Sequence, residues 1–176
     1  MNFRELLSGR IHENQIHELV FLTQGRRNDT KKEMLYRLIF DADKRVADNA
    51  AWVFTHFDAE NNEWLYRKHD ELIDETMKTA SETKLRLILS ILLRQPFPEE
   101  GIRTDFLDFC LRNMPAADRP TGIRALCMKL AYRQCRWFPE LLAELETALS
   151  IMEPEFLTAG LRSTLKNVLK ELRSIA

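Results

Sequence analysis

The sequence predicts an all-α fold, a short right-handed solenoid of about four to five antiparallel helix pairs running as a single domain over residues 1–176. Three observations carry that expectation. Leu, Glu, Arg, Lys and Ala, all good helix formers, dominate the chain, and its strong breakers amount to 5 Gly and 6 Pro. Apolar residues recur at helical rather than alternating spacing, and no stretch reads as a strand. An arginine recurs near the start of every second helix, at Arg45, Arg86, Arg124 and Arg162, at intervals of 41, 38 and 38 residues. That spacing suits a repeated helix pair whose apolar face needs a neighbour to cover it.

The elements follow in order. A first helix near residues 2–8 stops at Gly9 and a second near 10–23 stops before Gly25, because glycine can take the left-handed conformation that closes a helix. Asp29 suits the start of a third, 29–40, and Asp41 or Asp43 that of a fourth, 43–57, since a short side chain there accepts from the unpaired N–H groups of the first turn. A fifth spans 62–79, and Ser81 caps a sixth, 82–95, which Pro96 and Pro98 cannot continue. A seventh, 100–113, ends before Pro115, and Asp118 and Pro120 precede an eighth, 119–136. Pro139 and Pro154 suit the first turns of a ninth, 139–152, and a tenth, 155–174. Links this short fold sequential helices back on one another.

At 45% apolar and 30% charged residues, the chain has the composition of a folded globular protein. Its formal net charge of −1 excludes a global positive field able to hold nucleic acid by counterion release, so any such binding must be local. Cys110, Cys127 and Cys135 are odd in number, lack C-x-x-C spacing and sit among apolar residues, so they read as reduced thiols packed in the core. The N-terminal residues hold no long apolar stretch, and the run Leu87 to Leu93 is too short to span a bilayer. The expected location is the cytoplasm, without a membrane partner.

Helical spacing places Arg45, Asn49, Trp52 and His56 on one face of the fourth helix, with Val46, Ala47, Ala50, Val53, Phe54 and Phe57 as its apolar remainder. A flat indole beside amide, guanidinium and imidazole groups suits a peptide or base-stacking site. The alternative is that Trp52 packs between repeats with its N–H satisfied. Arg45, Arg86, Arg124 and Arg162 could form a ladder that grips carboxylates or phosphates, or could pair internally with Asp41, Asp43, Asp48, Asp74 or Asp118. Arg162, Lys166, Lys170 and Arg173 form a basic stripe on the last helix, opposite Leu161, Leu165, Val168, Leu169 and Leu172. That stripe suits phosphates or an acidic partner, or else is the solvated side of a capping helix. The histidines lack ligand spacing: His12 and His17 lie five apart, and His69 sits in a polar run with Lys68 and Asp70. No metal site, cofactor or catalytic set is expected.

The run Arg45-Val46-Ala47-Asp48-Asn49-Ala50-Ala51-Trp52-Val53-Phe54-Thr55-His56 resembles the second helix of a HEAT repeat or the last helix of an armadillo repeat. In armadillo proteins that helix commonly reads Ala-Ala-Trp-x-Leu-x-Asn, with Trp and Asn facing a peptide-binding groove. Trp52 matches the Trp, and His56 stands where the Asn would be. The specific match covers one repeat, and the others share the arginine and the apolar pattern. The resemblance implies a stack with a concave face and a non-enzymatic scaffold that binds a protein or peptide there. An alternative from the same resemblance is a DNA-binding protein of the HEAT-like alkylation-repair glycosylase type, toward which Asp48 beside Trp52 points and the net charge does not.

Overall fold

The structure, a computed structural model, describes residues 1–175, and its contacts divide the chain into two units, Met1–Gln95 and Pro96–Ala176. The first unit holds α1 (Phe3–Ser8), α2 (Glu13–Thr23), α3 (Asp29–Arg37), α4 (Lys44–Thr55), α5 (Ala59–Asn62), α6 (His69–Lys78) and α7 (Glu82–Leu93). The second holds α8 (Thr104–Asn113), α9 (Thr121–Cys135), α10 (Pro139–Ser150) and α11 (Ala159–Ile175). Short 3-10 turns cover Arg26–Asn28, Leu38–Phe40, Glu63–Lys68 and Pro154–Phe156, and no strand occurs among the described residues. The fold is all-helical, as the sequence predicts.

Within the first unit α3 packs on α4 and α6 on α7, while α4 and α7, the second helices of successive pairs, pack on each other. The two N-terminal helices lie against this layer, α1 on α4 and α2 on α3 and α4. Within the second unit α8 packs on α9 and α10 on α11, and α9 also meets α10 and α11. The helices that begin just before Arg45, Arg86, Arg124 and Arg162 are therefore α4, α7, α9 and α11.

Local chemistry explains most boundaries. Asp43 Oδ1 accepts from the N–H groups of Arg45 and Val46 at 2.9 and 3.4 Å, and Ser81 Oγ accepts from Lys84 N at 3.1 Å, so both predicted caps are formed. Pro139 occupies the first turn of α10, where its missing N–H costs nothing. Gly25, at φ 99°, takes the left-handed region that favours glycine and lets the chain turn from α2 into α3.

Other boundaries differ from expectation. Gly9 is extended, because the chain leaves α1 in an open stretch that is held by Asn49 Nδ2 donating to Leu7 O at 2.8 Å and Gly9 O at 3.3 Å. Pro154 lies in a 3-10 turn, and α11 starts later, where Thr158 Oγ1 accepts from Leu161 N at 3.3 Å. Residues 62–79 are not one helix but α5, a 3-10 turn and α6. There Leu65 O and Trp64 O accept from Gln95 Nε2 and Arg67 Nε at 3.2 Å each, side-chain bonds that complement the irregular turn.

The first core centres on Leu35, Ile39, Val46, Val53, Leu72, Ile73, Leu85 and Ile88, all essentially inaccessible, with an aromatic cluster of Tyr36, Phe54, Phe57 and Trp64. Lys68 caps that cluster, its Nζ 4.7 Å from the Tyr36 ring centre and 2.9 Å from Glu33 Oε2. Lys84 is buried between helices, with Nζ 2.6 Å from Glu75 Oε1 and donating to Ile39 O at 3.1 Å. The second core is built on Phe106, Ile123, Cys127, Met128, Leu130, Leu145, Leu149 and Leu161. Cys110, Cys127 and Cys135 are buried and free of disulfides, and burial pushes the Cys135 thiol up to about 12 and Cys110 upward as well. Such thiols do not ionise near neutral pH.

Candidate functional site

The site follows from the packing of α4 on α7. Val46, Ala50 and Val53 turn into the core, so the 3.6-residue period turns Arg45, Asn49 and Trp52 outward, where the edge of α7 and the end of α1 meet them. Together they line a cavity of about 790 Å³ walled by Ser8, Asp43, Lys44, Arg45, Asp48, Asn49, Trp52, Thr83, Arg86 and Leu87.

The charges of this cavity are not equivalent. Asp43 is spent on capping α4. Asp48 is spent as well: Oδ1 accepts from Ser81 Oγ at 2.7 Å and Oδ2 pairs with Lys44 Nζ at 2.8 Å. The side chains of Arg45 and Arg86, by contrast, are exposed and have no hydrogen-bond or ion-pair partner among the described residues. Leu87 forms a buried part of the wall. Trp52 is half-buried, and its indole N–H meets no acceptor among the described residues. The result is an open surface with two planar cations and one indole donor that lack partners among the described residues, against one carboxylate, Asp43, that caps a helix rather than pairing with a cation. Such a surface can receive an anion on its guanidinium groups and a flat or apolar group on its ring.

An aromatic row continues from Trp52. His56 caps the C-terminal end of α4 with its ring centre 6.2 Å from that of Trp52, and His17 of α2 lies 5.2 Å beyond it. Burial, then the neighbouring His17, hold the His56 imidazole below its ordinary value, so it is neutral at pH 7. Phe21 stands one turn after His17 on α2 and is 81% exposed.

Of the residues singled out from sequence, Arg45, Asn49, Trp52 and Arg86 come together in the cavity and His56 adjoins it. Asn49 spends its amide N–H groups on the end of α1. Arg124, Arg162, Lys166, Lys170 and Arg173 belong to the second unit. Arg124 is buried, donating from Nε to Met114 O at 2.9 Å and from Nη2 to Pro115 O at 3.3 Å. On α11 Leu161, Leu165, Val168 and Leu172 are buried, while Arg162, Lys166 and Lys170 are exposed and Arg173 pairs with Glu146 at 2.8 Å. Sequence reasoning missed Ser8, Lys44, Thr83, Leu87 and His17. Lys44 and Leu87 sit beside flagged arginines and could have been found by that adjacency, whereas Ser8 and His17 arrive through long-range packing that leaves no local signal.

No group of His, Cys, Asp or Glu among the described residues has the arrangement of a metal site, and no described helix is long and apolar enough to cross a membrane. No curated protein and no solved structure matches the chain. The family model of the HEAT repeat domain matches residues 3–172, from the first turn of α1 to the last turns of α11. With helix pairs recurring through that whole stretch, the chain belongs to the HEAT repeat domain family.

Proposed function

We propose that this chain is a non-enzymatic scaffold that binds a partner protein through a peptide segment seated between α4 and α7, with Trp52 as the anchor and Arg45 and Arg86 setting orientation. HEAT repeat domains are helical scaffolds that generally mediate protein interactions, which supports the class of function. The observation that carries the reading is the state of the cavity: the indole N–H of Trp52 and both guanidinium groups line it without hydrogen-bond or ion-pair partners among the described residues, while Asp48 is held by Ser81 and Lys44. Large aromatics and arginine are the side chains that most often dominate interface energy.

Site-specific photo-crosslinking tests this reading, with a crosslinker at Thr83 on the cavity wall and a control at Glu140 on α10. A discrete adduct from Thr83 in cell extract, absent with Trp52→Ala and absent from the control, is expected. Equal labelling from both positions, or labelling indifferent to Trp52→Ala, would remove the cavity as the binding surface.

A second reading, duplex DNA held by α11, is favoured by one observation. Arg162, Lys166 and Lys170 follow one another at helical spacing, exposed and without partners among the described residues. Fluorescence anisotropy with a mixed-sequence duplex at low and physiological salt decides it. Binding that weakens steeply with salt and vanishes in Arg162/Lys166/Lys170/Arg173→Glu would replace the scaffold reading. Absence of binding at low salt removes it. A glycosylase-type role for Asp48 finds no support, because both oxygens of that carboxylate already have partners.

A further inference from the structure

Three features of the first unit converge on the chemistry of the segment that would occupy the cavity. Lys44 and Asp48 neutralise each other there, and against the Asp43 carboxylate that caps α4 stand the two guanidinium groups of Arg45 and Arg86, so the field left for a ligand is net positive. Arginine's planar fork matches a carboxylate in bidentate fashion, and two such forks in one cavity favour two neighbouring acidic side chains over one. The row Trp52, His56, His17 then leads away from the arginine end toward exposed Phe21, and with His56 held neutral it adds apolar ring surface rather than charge.

The two ends have a definite separation. Arg45 lies in the first turn of α4 and His56 caps its end, eleven residues on. At ~1.5 Å per helical residue that is about 16 Å. An extended segment covers this in about five residues at ~3.3 Å each.

From this geometry we infer that the partner segment is acidic and extended: paired Asp or Glu side chains rest on Arg45 and Arg86, and an aromatic or large apolar residue a few positions away rests on the Trp52, His56 and His17 row. This inference depends on the protein-binding reading above and narrows it to a class of partner.

The test is selection from a phage-displayed random heptapeptide library on the full chain, its Trp52→Ala variant and an Arg45→Glu/Arg86→Glu variant. The arginines are exposed and unpartnered, so the charge swap leaves folding intact, which far-UV circular dichroism checks. Wild type is expected to enrich paired Asp or Glu near an aromatic residue. The charge swap is expected to lower affinity for a selected peptide by at least about tenfold and to turn its own selection toward Lys and Arg. Trp52→Ala should enrich neither. If wild type enriches neutral or basic sequences that still need Trp52, the acidic partner is excluded and the scaffold reading survives. If no selected sequence depends on Trp52, both fall. If oligothymidylate, titrated in parallel, binds and competes with every selected peptide through Arg45 and Arg86, the cavity takes phosphodiesters and both fall again.

Discussion

Arg124 and the pair Arg45 and Arg86 hold comparable places in successive helix pairs, yet their surroundings are opposite. Arg124 is buried, and its guanidinium fills the carbonyls of Met114 and Pro115. Arg45 and Arg86 are exposed, and their side chains have no hydrogen-bond or ion-pair partner among the described residues. The links before the helices account for the contrast. Pro115 and Pro120 bring no N–H of their own to the link between α8 and α9, and the Met114 and Pro115 carbonyls at the end of α8 take their donors from Arg124. In the first unit the buried Lys84 plays that part, donating from Nζ to Ile39 O ahead of α4, and Arg45 and Arg86 are left outside. A repeated arginine is thus structural where carbonyls of the preceding link take its N–H groups, and available to a ligand where another side chain supplies that donor.

Four measurements break or sharpen this contrast. Lys84→Ala removes a buried cation and leaves the largely shielded Glu75 carboxylate and the Ile39 carbonyl without their donor, so it should destabilise the fold by about 3 kcal/mol or more in urea unfolding. Arg124→Ala strands two carbonyls and should cost about 2–3 kcal/mol by the same measurement; a loss no greater than that of a surface arginine would refute its structural role.

A smaller effect is expected from His56. Its folded value lies below the unfolded one, so the neutral form is favoured by folding. Stability from this source is fully present above about pH 6.5, declines as pH falls through that value, and levels off below the folded value. His56→Gln should flatten that slope in stability measured between pH 7.5 and 5. Smallest of all, Arg45→Ala and Arg86→Ala should each change stability by less than about 0.5 kcal/mol. A large loss in either would show a hidden structural partner and remove the basis for a ligand site.

Several helices were legible because their signals are local: Asp43 and Ser81 as caps of α4 and α7, Pro139 in the first turn of α10, and the apolar stripe of α4 with Arg45, Asn49 and Trp52 opposite. The break within residues 62–79 was not, since it coincides with hydrogen bonds from Gln95, thirty residues away, to Leu65 O. Nor could the sequence tell Arg124 from Arg86. Both follow the same repeat, and what separates them is whether a preceding carbonyl lacks a donor, a property of the folded link. The meeting of His17 with His56 is likewise a tertiary event between residues that share no motif.

Asn49 ties the cavity to the element beside it, the end of α1. Its amide makes two hydrogen bonds from α4 to the end of α1, a helix of six residues otherwise kept in place by Phe3, Leu7 and the pair Arg4 with Asp41. A helix that short has little stability of its own. Hydrogen exchange is therefore expected to show α1 opening more readily than the core helices, and a segment seated in the cavity as proposed is expected to slow that exchange on the Ser8 side.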